Sequence, residues 1–469
     1  MRLSPRLAVV TLVVASGACG GATRAPTAAP VEAAPQRGPT REAKAPPPPA
    51  ADTCPELRQS AVAPFECDTT TLAFPVPDIV DPRGALRPFY DRLAALARGL
   101  SSDHVRIGVW GDSNMTADMI TGRLRRQLQG RLGDGGHGYV ALAKPWRWYD
   151  HQDVHHDGTW WYFKQIATST DPVKDRHYGF ANIAAETREF RAKAWVETAP
   201  VTSPVGRSVS SFDLFYLKRP DGGQIDVLLD GEQSKRIQTR ARQIEAGFER
   251  FETFEGPHRL EVHVRGNGMV RLFGVALERS APGVVVDSLG TGALNFQQMA
   301  LVKSDTRRPM LERRKYDLAV FLLGTTMFAL KQHKRWAAEV LQDLRAALPG
   351  VAILLMSPPD VMKAYRDAHS DPRIVEVRDQ VKEIAEENGA AFWDFREAMG
   401  GDAAIKAFIQ RGLAMVDRVH LKKPGSELMA DRFLCAVSRD WTGYLAQAPR
   451  AGCPAAGPPA PDATASITR

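Results

Sequence analysis

Cysteine is scarce, with five in 469 residues, and its spacings match no zinc motif. Blocks of like charge are missing too. The net charge of +7 is spread along the chain, which argues against a basic stripe for nucleic acid. The N-terminal apolar run, Leu7 to Val14, falls short of the roughly 20 residues that a membrane-spanning helix requires. A working dinucleotide fingerprint is also lacking. Gly133, Gly135 and Gly138 spell G-x-G-x-x-G, but they close a predicted helix, whereas the fingerprint follows a strand and opens one. They read as a helix stop and loop. His151, His155 and His156 cluster in "DHQDVHHDG", yet no partner motif accompanies them, so no metal site is assigned. No cofactor of any kind is implied.

What is present begins at the N-terminus. Arg2 and Arg6 precede the apolar run, and small residues "ASGAC" follow it. This pattern predicts a signal peptide over 1–19. Its ending resembles a bacterial lipoprotein signal, although Ser16 stands where such signals usually carry Leu. The resemblance implies that Cys19 is lipidated and that the protein is exported, anchored to a membrane and facing the periplasm or cell surface. Residues 20–52, rich in Ala, Pro and Thr and including "APPPPA", cannot bury a core and read as a disordered tether. The tail 448–469 reads as disordered as well. The remaining cysteines, Cys54, Cys67, Cys435 and Cys453, form an even set that in an exported protein predicts two disulfides. Three pairings are open. Cys54–Cys67 with Cys435–Cys453 is the local solution, stapling each end of the folded region.

Between these ends the texture changes twice. Leu86, Phe89, Leu93, Leu96 and Leu100 recur at helical spacing within 83–100. "VRIGVWG" (105–111) reads as a buried strand, and 115–132 as an amphipathic helix. From about 144 to 280, short alternating runs predict strands at 210–217, 224–231, 258–266 and 269–278. "RPDGGQ" between the first two carries a hairpin signal. Buried strands alternating with helices then return: 283–290, 316–323, a helix 329–347, 351–356, a helix 374–388, 390–395 and a final helix from 425 to 445. The expected fold is α/β, a three-layer sandwich around a mostly parallel sheet. A β-sandwich module (144–280) interrupts it, leaving 53–143 and 281–447 as the two parts of one domain.

In an open parallel sheet, sites form at the carboxyl ends of strands. There the sequence places Ser113 in "VWGDSNM", Gly290 to Gly292 in "GTGA" and Gly324 to Thr326 in "GTTM". Far downstream, "DRVH" presents Asp417 and His420 just before the last helix. A serine nucleophile needs a base within hydrogen-bond reach and a group that orients the base, and one loop can supply both. "G-x-S-x-G" is not formed, since Met115 stands at its last position, so a nucleophile elbow is not indicated.

These four blocks, in this order, resemble those of the SGNH/GDSL hydrolases over about 103–445. With an inserted carbohydrate-binding-like β-module and "FWDFREAMGG" before the last block, the chain resembles the peptidoglycan O-acetylesterases, whose fold is flavodoxin-like with a jelly-roll-like insertion. The resemblance implies Ser113 as nucleophile, His420 as general base and Asp417 as its orienting acid. It implies oxyanion donors at the backbone N–H of Ser113, the backbone N–H of Gly292 and the side chain of Thr326. The family carries Asn at this last position, and loss of one oxyanion donor can cost roughly 10²- to 10³-fold in rate. Asp112 is expected to support the turn. The implied partner is an acylated cell-envelope polysaccharide, with aromatics in "KPWRWYDHQ" and "TWWYF" offering either a sugar-stacking surface or module core. The alternatives are a glycan-binding protein with a degenerate site, and a lipase or thioesterase of the same fold. No signal for an oligomeric state is present.

Overall fold

The computed structural model describes residues 54–67, 70–167, 172–327 and 330–454. The expected signal peptide, Cys19 and the tether up to residue 53 lie outside the described residues, as does the tail beyond 454.

Five parallel strands form the central sheet, in the spatial order Val284–Gly290, Val105–Gly111, Leu318–Leu322, Ala352–Met356, Ala391–Trp393. Numbered along the chain this is 2-1-3-4-5, the flavodoxin-like order, with its switch point beside the first strand. Every residue of these strands is buried, which is why they read as continuous apolar runs and not as alternation. Alternate side chains still go to opposite faces. Val105, Ile107, Val109, Leu318, Val320 and Leu322 pack with the helices Arg87–Ala97, Met119–Leu132 and Lys423–Gln447. Trp110, Ala319 and Phe321 pack with Ser304–Arg314, Leu330–Ala347 and Pro372–Glu387. The result is the expected three-layer sandwich.

Between the first two of these strands in sequence, the chain builds two antiparallel sheets. One runs Glu245–Gly256, Val209–Lys218, Val270–Glu278, Ile183–Thr187, Tyr162–Gln165, with Gly138–Val140 added to Val270–Glu278. The other runs Val154–Thr159, Lys193–Thr198, Arg259–Val264, Gln224–Leu229, Glu232–Gln238. Phe212 and Leu214 of the first share one core with Val196, Val227 and Val262 of the second, which makes a β-sandwich. The first antiparallel strand begins at Gly138, a few residues before the change of texture visible in the sequence.

The expected hairpin at "RPDGGQ" is not formed. Its flanking strands lie in different sheets, and the connection carries the chain across the sandwich. The hairpin sits one strand later, where Gln224–Leu229 pairs with Glu232–Gln238. Asp230 (φ 53°) and Gly231 (φ 85°) turn it. A two-residue turn of this kind needs positive φ at both positions, and Asp-Gly supplies them cheaply.

Of the three open disulfide pairings, the local one is not the one formed. Cys54 bonds Cys453 and Cys67 bonds Cys435, spanning 399 and 368 residues. The segment after Cys54 lies along the last helix, where the Phe65 N–H donates to Ser438 Oγ (3.1 Å) and Arg439 donates to the Val76 carbonyl (2.8 Å). This brings the two ends of the folded region together, so each cysteine meets a partner from the far end and not its sequence neighbour. Residues 448–453 are accordingly tied down, with Arg98 donating to the carbonyls of Pro449 and Ala451. Replacing Cys67 and Cys435 together by Ser is expected to lower unfolding stability by about 2–4 kcal/mol, read from urea denaturation. With Cys67–Cys435 closed, the second bridge closes a loop of about 30 residues and contributes a smaller but comparable chain-entropy term, since this term falls only logarithmically with loop length. Among the described residues, no helix is long and apolar enough to cross a membrane.

Candidate active site

The first parallel strand ends at Gly111 in register with Gly290 of one neighbour and Leu322 of the other. The three turns that follow are therefore side by side. Asp112 leaves the strand and caps a single 3₁₀ turn, Ser113–Met115, by accepting the Asn114 N–H at 3.1 Å. Its other oxygen accepts the Thr325 hydroxyl (2.6 Å) and N–H (3.3 Å), fastening the third turn to the first. Asp112 is fully buried, and burial pushes its carboxyl above the ordinary range against these hydrogen bonds and the nearby His420. It supports the turn, as expected.

The "DRVH" loop closes over this point from 307 residues away. His420 Nε2 lies 2.8 Å from Ser113 Oγ, and His420 Nδ1 lies 2.8 Å from Asp417 Oδ2. With Nδ1–H donating to the carboxylate, Nε2 is left as the acceptor for the Ser113 hydroxyl. Asp417 Oδ1 also accepts the N–H groups of Val419 and His420, both at 3.0 Å, so the acid shapes the loop that carries the imidazole. Partial burial works against its charge, but the His420 ring and these N–H groups outweigh it and hold the carboxyl below its ordinary range.

The oxyanion candidates are placed differently from one another. The backbone N–H groups of Ser113 and Gly292 donate to nothing among the described residues, and both residues line a cavity of about 270 Å³ that also holds His420. Thr326 does not line it. Its hydroxyl donates to the Ala293 carbonyl at 3.1 Å, and its own carbonyl accepts Asn295 Nδ2 at 3.2 Å. Thr326 thus braces the glycine turn and has no free proton for the cavity.

One residue of the site was quoted in the sequence without a role. Asn114 Oδ1 accepts the Leu421 N–H at 3.1 Å, and its Nδ2 donates to the Val419 carbonyl at 3.5 Å. A single side chain next to Ser113 therefore grips the backbone on both sides of His420. No spacing rule reveals this, because its partners come from the other end of the chain. Asn114→Leu is expected to lower kcat/KM about 10- to 100-fold through misplacement of the imidazole, with Asn114→Asp falling between, measured on a small acetate ester.

Of the three histidines that cluster in the sequence, the fold sets one apart from the other two. His155 is exposed while His151 and His156 are buried. His151 and His137 share a 2.9 Å hydrogen bond. Asp118, His137 and His151 bring a ligand-type atom each within 4.8 Å of one another, and the Asp118 oxygens also accept from Arg125, Thr121 and the Gln152 N–H. Burial holds the His151 imidazole down to about 3 and that of His156 to about 4, so both are neutral packing groups near pH 7. A lookalike triad, Thr253–His258–Asp230, lies beside a larger cleft of about 660 Å³ on the β-sandwich. There His258 Nε2 also meets the Phe254 carbonyl at 2.8 Å. That nitrogen must donate, so it cannot accept a hydroxyl proton.

No protein-family model matches the sequence, and no curated protein matches it. Among solved structures, the chain is similar to a peptidoglycan O-acetylesterase at 21% identity, with 78% of this chain and 99% of that one covered and a TM-score of 0.66. The chain shares the fold of that structure. Fainter similarities extend to an active-site mutant of a family two carbohydrate esterase from Clostridium thermocellum (11% identity, 60% and 98% covered, TM-score 0.26). They include a putative GDSL-like lipase from Parabacteroides merdae (19% identity, 33% and 72% covered, TM-score 0.26).

Proposed function

We propose that this protein is an exported serine esterase that removes O-acetyl groups from a cell-envelope polysaccharide, peptidoglycan first among them. The observation that carries the reading is the continuous chain Ser113 Oγ, His420 Nε2, His420 Nδ1, Asp417 Oδ2, with both of its hydrogen bonds 2.8 Å long. As Oγ attacks the ester carbonyl, His420 takes the hydroxyl proton, and Asp417 stabilises the imidazolium without itself being protonated. The carbonyl oxygen becomes an oxyanion at the free N–H groups of Ser113 and Gly292. Collapse breaks the bond to the alcohol, which leaves with the proton from His420. Water then repeats the sequence on the acyl-serine, releasing carboxylic acid and restoring Ser113.

The substrate class takes its lead from the O-acetylesterase whose fold the chain shares. Export and a lipid anchor at Cys19 rest on the N-terminal signal pattern, and the two cystines suit an oxidising compartment. The experiment is release of acetate from O-acetylated peptidoglycan together with labelling of the protein by a serine-directed fluorophosphonate. Stoichiometric labelling at Ser113 with brisk acetate release is the expected result. No labelling and no release would sink the esterase reading.

A second reading, glycan binding with little turnover, is favoured by one observation, the commitment of the Thr326 hydroxyl to Ala293. It predicts labelling of Ser113 without appreciable acetate release.

A further inference from the structure

The loop "KPWRWYDHQ" separates its aromatics into two kinds. Tyr149 is buried, and Trp146 packs edge-on against it with ring centroids 5.1 Å apart. Trp148 is the opposite: its residue is 62% exposed, and it lines the same cavity as Ser113. An indole on the surface ordinarily turns its N–H to water. Here Trp148 Nε1 donates inward to Thr116 Oγ1 at 3.2 Å, and Trp146 Nε1 donates to the Thr116 carbonyl at 2.8 Å. Thr116 in turn donates its hydroxyl to the Ser113 carbonyl at 2.8 Å. Both tryptophans are therefore tied to a residue of the nucleophile's own turn.

The loop is held from below as well. The Asp118 N–H donates to the Asp150 carbonyl at 3.3 Å, and the Gln152 N–H to Asp118 Oδ2 at 3.0 Å. Tyr149 Oη receives the Ala141 N–H at 2.9 Å and meets His151 Nε2 at 2.8 Å. Asp118 itself is locked by a fully buried pair with Arg125. So an apolar ring is kept in water, with its polar atom satisfied from behind, on a braced support at the mouth of the cavity.

We infer that Trp148 is the stacking platform for the alcohol half of the ester, and that this half is a pyranose ring. The inference rests on the esterase reading and names what the site holds beside the acyl group. A pyranose presents one apolar C–H face and a rim of hydroxyls. An indole with a free face and an open rim matches both, since the C–H face is desolvated on the ring while the hydroxyls stay in water. A long acyl chain needs an enclosed apolar channel, and a wall that is 62% exposed does not provide one. Trp148 acts here as a specificity residue and takes no part in proton transfer.

The test compares 6-O-acetyl-N-acetylglucosamine with ethyl acetate. Trp148→Ala should lower the ratio of kcat/KM for the sugar ester over ethyl acetate by about tenfold, chiefly through KM. Trp148→Phe should restore most of that ratio. Equal losses on both esters, or a shift in favour of hexanoate over acetate esters with the sugar ratio unchanged, would overturn it; the latter would make Trp148 an acyl-chain wall. If the wild type neither hydrolyses esters nor reacts with fluorophosphonate, the esterase reading fails on its own. The platform is then judged by titrating the acetylated sugar into Ser113→Ala and into Ser113→Ala/Trp148→Ala. Binding weakened in the double variant supports it, and equal binding overturns it.

Discussion

His420→Ala is expected to lower kcat on a small acetate ester by about 10⁴-fold or more. In the proposed mechanism the imidazole is both the acceptor of the Ser113 proton and its donor to the leaving alcohol, and among the described residues no other titratable side chain lines the cavity. Ser113→Ala should be as severe, and the double variant hardly worse, because the two act as one unit. Residual hydrolysis should persist in each, since the N–H groups of Ser113 and Gly292 still stabilise the oxyanion. The loss should be in kcat and not in stability. The His420 side chain is 35% exposed and supports the loop through its backbone, so the unfolding midpoint should stay close to that of the parent. A tenfold loss or less would mean that another group takes the proton.

The largest expected effect on stability lies away from the triad, where the parallel sheet meets the β-sandwich. Glu278 ends a sandwich strand and is 6% exposed. It accepts from Arg106 Nε and Nη2 at 2.8 and 2.9 Å and from Arg314 Nη1. Arg314 is also paired with Asp287 on the neighbouring parallel strand. Burial alone would raise the Glu278 carboxyl, but Arg314 and Arg106 together outweigh it and hold it well below the ordinary carboxylate range. Glu278→Ala leaves two buried guanidiniums short of a counter-charge, at a cost of about 3–5 kcal/mol. The pH dependence follows from the depressed pKa. The unfolded chain takes up this proton near pH 4.5 and the folded chain only at lower pH, so the contribution is complete above about 4.5 and is lost as pH falls below it. Urea titrations of the parent should show a steeper fall between pH 5 and 3 than those of Glu278→Gln. Parallel slopes would show that the pair contributes nothing to acid lability.

Much of the site was legible because its parts are local. "GDSN" ends a strand that reads as one, and "DRVH" carries acid and base on one turn. Each motif needs only its own few residues to form. The helices were legible within a few residues for the same reason, since apolar spacing reports a face that must be buried. The helix Ser304–Arg314 was not seen. It is built largely of charged residues, with Pro309 inside it, and its buried arginines Arg307 and Arg314 hide the apolar stripe.

The features that escaped sequence reading depend on partners far apart. Asn114 looks like any turn asparagine until Val419 and Leu421 arrive on either side of His420. Thr326 looked like an exchanged oxyanion donor, yet its hydroxyl is committed to Ala293 across the neighbouring turn. The pairing of the four cysteines stayed open because sequence measures distance only along the chain. Folding brought residues 54 and 453 together with Cα atoms 5.8 Å apart.

By itself, the sequence determined the order of the five parallel strands and of most long helices between them, the α/β class and the sandwich insertion. These follow from periodicity and from turn chemistry, which act over a handful of neighbouring residues. Only the tertiary structure decided the disulfide pairing, the outward face of Trp148, the clamp at Asn114 and the fate of the Thr326 proton. A hydrogen bond or a cystine is a meeting of two places, and only the packed sheet and its turns say which places meet.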